Sequence, residues 1–170
     1  DSYPNWNGHS RSNPVGDYGV IEFNTGFPVD FLIYKKPTAG GDWFTGARLI
    51  GINYLETNDT AAQATNSNIQ WDFQDGMGGW SGLSSGYQSW SWKRHAGFDV
   101  VTYKGSGFNA GEQQDIFHSL NAIPEMIWVK IRDAANQDWM VYHKGLNGGT
   151  NPEQYKINLN STSSESSFNC

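Results

Sequence analysis

The chain has 170 residues, 15% aromatics, 20 glycines and a formal charge of −6, enough for one domain with a real core or two very small ones. Its sequence pI is about 5.0, and Lys35-Lys36 and Lys93-Arg94 are its only adjacent bases, which argues against a phosphate-backbone binder. Cys170 is the sole cysteine, so no disulfide can form within the chain, and no apolar run approaches the roughly 18 residues of a membrane span.

Residues 1–19 carry two of the six prolines, Pro4 and Pro14, and read as an extended N-terminal arm. Regular structure begins at residues 19–23 (GVIEF). Residues 30–35 (DFLIYK) form a continuous apolar run closed by Pro37, Gly40 and Gly41, which predicts a buried strand and a turn. Short strands follow at 42–44 and 52–57, a helical turn at 61–64, and an alternating strand at 69–73 (IQWDF). After a Gly/Ser loop, Trp90 and Trp92 share one face of a strand that ends in Lys93-Arg94-His95. A second strand is expected to leave that corner at Phe98, followed by a hairpin around Gly105 to Gly111. No stretch sustains a helical period, so the chain reads as mainly β.

An internal repeat organises the chain. PVDFLIYKKPTAGGDWF, from Pro28, lies over IPEMIWVKIRDAANQDWM, from Ile123. Each has an acid (Asp30, Glu125), an apolar run closed by lysine (Lys35, Lys130), a polar turn and Asp-Trp (Asp42-Trp43, Asp138-Trp139). Asn-x-Thr then recurs at Asn58/Thr60 and Asn160/Thr162. The expected division is copy one over about 20–92, a seam at 93–97, and copy two over about 98–170, with later strands of copy two missing or supplied by another chain. The chain therefore reads as a piece of something longer.

The stretches YQSWSWKRHAGFDVVTYKGSG, HSLNAIPEMIWVK, DWMVYHKGL and NLNST resemble the repeating unit of tail-fibre and other virion structural proteins of marine tailed phages, typically cyanophages. The matching positions include Trp92, Lys93, Arg94, Gly97, Phe98, Tyr103, His118, Pro124, Glu125, Lys130, Trp139, Tyr142, His143 and Leu146. The resemblance implies an antiparallel β-sandwich of jelly-roll, concanavalin A-like or laminin G-like type in a virion surface protein, made in the bacterial cytoplasm. Its implied partners are copies of itself, other virion proteins and host surface polysaccharide. It implies no chemistry, and the arm at 1–19 has no counterpart in the family.

Chemistry-bearing residues are few. Trp43, Trp139 and Trp80 are candidates for rings that stack on a sugar face, against the plainer role of packing tryptophans. Asp72 and Asp75 in WDFQDG are a weak Ca²⁺ pair, and a turn-forming Asp beside Gly76 is the favoured reading. No other cofactor is expected. The four histidines lack zinc spacing, and no nucleophile motif or marked carboxylate pair suggests catalysis. At the seam, Trp90, Trp92 and Phe98 are expected to pack inward, with Lys93 and Arg94 at a turn. The Asn-x-Thr segments are expected to fix turns through their own backbone rather than to carry glycans. Assembly with like or other particle proteins is thus the first expectation, a lectin-like glycan module the second, and a glycoside hydrolase a distant third. Neither nucleic-acid binding nor membrane insertion is expected.

Overall fold

The structure, a computed structural model, describes residues 11–13, 16–18, 21–78, 87–107 and 113–167. Thirteen strands lie among them, every ladder is antiparallel, and the only helical pieces are short 3-10 turns such as Arg48–Ile50. The chain is mainly β. Within the arm, β1 (Arg11–Asn13) pairs with β2 (Gly16–Tyr18).

The larger sheet is a meander with one return strand. β4 (Phe31–Lys35), β5 (Phe44–Ala47), β6 (Asn53–Glu56) and β7 (Ala64–Thr65) pair in sequence, and β9 (Gln88–Trp92) comes back to the outer edge of β4. A ribbon of β3 (Ile21–Asn24) and β8 (Gly76–Gly78) covers one face. There Val29, Leu32, Tyr34, Ile69, Trp71 and Met77 form the core, with Phe23, Phe44, Tyr54 and Tyr87 packed around it. Alternation in β4 does this: Leu32 and Tyr34 point into the core while Phe31, Ile33 and Lys35 point the other way. Burial pushes the Tyr34 phenol up, helped by Tyr54, Tyr87 and Glu56. Gly46 of β5 sits under the Trp71 ring, where a Cβ would come within 3.2 Å of Trp71 Cζ2.

A second meander follows. β10 (Met126–Val129), β11 (Met140–His143), β12 (Tyr155–Asn158) and β13 (Ser166–Ser167) pair in sequence. Its registers repeat those of the first. Phe31 faces Ala47 as Met126 faces His143, Phe44 faces Glu56 as Met140 faces Asn158, and Asn53 faces Thr65 as Tyr155 faces Ser167. The strands therefore align with the acids, lysines and Asp-Trp pairs of the sequence repeat in step. Backbone bonds from Gln63 N–H to Arg132 O and from Gln137 N–H to Thr60 O tie this sheet to the β6–β7 loop.

Several local expectations differ from the structure. Residues 61–64 form no helical turn; Ala64 is in β7. The 69–73 strand is reduced to a single bridge, Gln70 to Gly78, because Trp71 and Ile69 are spent as a plug over β4. The strand expected from Phe98 is only the bridge to His95, and residues 99–107 run without ladder partners. Residues 108–112, at the tip of the expected hairpin, lie outside the described residues; Gln114 does bridge its arms, accepting from Ser106 N–H and donating to Lys104 O.

Candidate functional site

The Asp-Trp and Asn-x-Thr elements are two sides of one clasp, made twice. The Asn58 carbonyl accepts the Trp43 N–H (2.7 Å) and its amide donates to Asp42 (2.9 Å). Asn160 does the same for Trp139 N–H (2.8 Å) and Asp138 (2.8 Å). The lysine closing each apolar run donates to the carbonyl before the Asp: Lys35 to Gly41 O and Lys130 to Gln137 O, both at 2.8 Å. The expectation that each Asn bonds its own turn is corrected: the side chain reaches across to the neighbouring strand, where a strand start leaves an N–H without a ladder partner. Burial lowers the Lys130 amine's pKa, against the pull of Asp59 and Asp138.

The two clasped tryptophans have opposite fates. Trp139 is 5% exposed, its ring edge-on to Trp128 and its indole N–H donated to Glu56 O (2.8 Å), so it is a packing residue joining the two meanders and not a sugar platform. Trp43 is 37% exposed and leans on Trp90, ring centroids 5.4 Å apart, with Lys35 Nζ 5.1 Å from its own centroid. Trp90, expected to face inward, is 43% exposed; it lies opposite Ile33 on the face of the sheet away from the β3–β8 ribbon. Trp80 lies outside the described residues.

At the seam, Trp92 stacks on Phe98 (5.8 Å, 20°) and both meet Phe31. Lys93 and Arg94 are exposed, as a turn requires. Asp30 receives the end of β9: its N–H donates to Trp92 O, and its carboxylate accepts the Arg94 N–H (2.8 Å) and the Arg48 Nε–H (3.1 Å). Arg48 also donates to Trp71 O and Val29 O, so one guanidinium pins the strand end and the plug together. Burial pushes the Asp99 carboxyl up, but the Ser119 N–H and hydroxyl, the Arg94 guanidinium and the Val100 N–H outweigh it and bring it down to about 2.

The second meander lacks this cover. Among the described residues no strand pairs with the outer edge of β10, and Met126, Ile127, Trp128, Ile123 and Ile131 are exposed around it. The face equivalent to the buried core of the first meander is a mostly apolar trough of about 390 Å³ lined by Ile123, Ile127, Val129, Met140, Tyr142 and Tyr155, with Glu153 and Lys156 also in its lining. Leu32 is fully buried, whereas Ile127, its counterpart in register, is 42% exposed. An apolar strand edge without a ladder partner, flanked here by Glu125 and Lys130, is a template for another strand.

Asp72 is exposed, and the Asp75 carbonyl is engaged by Thr25 N–H and Gly26 N–H; among the described residues no three His, Cys, Asp or Glu side chains converge. No helix among them is long and apolar enough to cross a membrane.

No curated protein and no solved structure matches the chain. A family model does, over residues 49–170, spanning β6 through β13 and thus both Asn-x-Thr segments and the whole second meander. The chain belongs to the family described as a domain of unknown function, DUF7483.

Proposed function

We propose that this chain is a structural assembly module of a phage virion surface protein, a tail fibre, spike or related component, working by association and not by catalysis. The observation that carries it is the uncovered second meander: a core-equivalent face and an apolar strand edge left open where the first meander is closed. Leaving such surface in water is unfavourable by about 25 cal/mol per Å² of apolar area, so a neighbour that covers it gains that energy. The sequence resemblance supplies the particle, and the repeated registers fit a duplicated unit in a jelly-roll-derived sandwich. The test is a photo-crosslinking residue at Ile127 in particles that carry the chain. Cross-links to another polypeptide segment are expected; particles without the chain, or no cross-link at Ile127, overturn the proposal.

A second reading, attachment to host surface polysaccharide, is favoured by the Trp43–Trp90 pair. Two half-exposed rings beside Asp42, Asn58 and Lys35 suit stacking on a sugar face with polar groups at its rim. Retention of the chain on immobilised host polysaccharide, lost on Trp43→Ala and Trp90→Ala, supports it; unchanged retention in both variants refutes it. Trp139 and any Ca²⁺ at Asp72 and Asp75 have no part in this reading.

A further inference from the structure

The geometry points to one occupant for the outer edge of β10: an antiparallel strand of the chemistry of β9, aromatic–polar–aromatic followed by base, supplied by a separate segment of an assembly partner. This rests on the assembly reading above and names what that reading leaves open.

The chain contains its own template for the docked state. β4 and β10 occupy the same place in their meanders, with identical registers to β5 and β11. On β4 the outer edge holds β9, with Phe31 opposite Trp92, Ile33 opposite Trp90 and Lys35 opposite Gln88. In step, the backbone edge at Met126, Trp128 and Lys130 has no ladder partner among the described residues and is open to the same three partners. Met126 and Trp128 are exposed apolar side chains on the face that takes the two tryptophans.

The receiving charge is also in place. On β4, Asp30 and Arg48 form an ion pair, Arg48 N–H donates to Asp30 O (2.9 Å), and the second carboxylate oxygen takes the N–H of Arg94 beyond the strand end. At the same positions Glu125 and Lys144 form an ion pair, and Lys144 N–H donates to Glu125 O (2.9 Å). Glu125 lies on the surface, beside where the basic end of an incoming strand would arrive. The acid, its cationic partner and the backbone bond all recur, while the strand they would receive is absent from the described residues. The trough beside the edge shows where the second seat departs from the first. Tyr142 stands where Gly46 makes room for the Trp71 ring, so the occupant is a strand of the β9 kind without a bulky plug like Trp71.

A fluorescein-labelled peptide of residues 87–95 (YQSWSWKRH) added to the chain tests this, read by anisotropy and by amide hydrogen exchange. Saturable binding is expected, with new protection confined to residues 126–130. Replacing both peptide tryptophans by serine weakens binding at least tenfold, because it removes the cross-strand pairs with Met126 and Trp128. Glu125→Arg, an exposed change that leaves the fold intact, weakens it about threefold, as expected for a surface charge pair. The same peptide tethered after Cys170 by a Gly/Ser linker, at millimolar effective concentration, gives the same protection if affinity in solution is low. No protection in either format overturns the proposal, as does binding that exposes Phe31–Lys35 by displacing β9. Protection of residues 126–130 by a second copy of the chain alone also overturns it, while leaving the assembly reading standing. Loss of the Ile127 cross-link in particles sinks that reading itself.

Discussion

Asn160→Ala removes the acceptor of the Trp139 N–H, a 2.8 Å bond at a buried strand start, and leaves that donor on a residue that is 5% exposed. A stranded buried donor costs about 1–3 kcal/mol, and the Asp138 oxygen that loses its donor is re-solvated at little cost. The net expectation is about 2 kcal/mol, equal to a fall in Tm of roughly 4–8 °C for a chain of this size. Asn58→Ala breaks the equivalent clasp where it is exposed, and water replaces the lost acceptor, so about 0.5–1 kcal/mol is expected. Asn160→Asp keeps the acceptor but sets a carboxylate against Asp138, and it destabilises near neutral pH. Asp138→Asn restores the clasp in that background, because its new amide donates to the carboxylate introduced at position 160 while its carbonyl still accepts from Asn158. Urea unfolding followed by tryptophan fluorescence reads all four. An Asn160→Ala cost below about 0.5 kcal/mol, or a double variant no more stable than Asn160→Asp, refutes the clasp as a source of stability.

Leu32→Ala empties a fully buried core position and is expected to cost about 3 kcal/mol, whereas Ile127→Ala at the same register costs under about 1 kcal/mol in the isolated chain; equal costs in urea unfolding would contradict the difference in cover. Arg48→Lys loses the fork that joins Asp30, Trp71 O and Val29 O and is expected to cost about 2 kcal/mol, with near-neutral behaviour as the refuting result. Asp99, whose carboxyl lies below its unfolded value, contributes stability that is present above about pH 4 and lost as pH falls through about 2. The loss is expected to be about 1–2 kcal/mol. It is read by urea titrations between pH 5 and pH 2, and the same slope in Asp99→Asn would show that other groups carry it.

Much of the fold was legible from residues because strands announce themselves locally. Residues 31–34 are an unbroken apolar run with β-branched and aromatic members, Pro37 and the Gly40-Gly41 pair end it, and the order acid, apolar run, lysine, Asp-Trp, Asn-x-Thr repeats. That order foretold which residues occupy like places, and the registers of β4–β7 and β10–β13 agree with it. The fixed occurrence of Asp-Trp ahead of Asn-x-Thr in both copies was the available signal for the clasp. What it lacked was distance information, since nothing in one chain's spelling says that Asn58 reaches Trp43 and not its own turn.

Composition and periodicity alone determined that this chain is mainly β, and its repeated order of residues marked two like runs with charges between them. Which faces are covered was decided only in three dimensions. Trp43 and Trp139 each follow an aspartate in sequence and share the same clasp, yet one is half-exposed beside Trp90 and the other is closed in by Trp128 and Glu56. Leu32 and Ile127 are likewise equals in register, one sealed by Met77 and Trp71 and the other open. Burial is a property of what packs on a strand from distant parts of the chain, and alternation within the strand fixes only which side is offered.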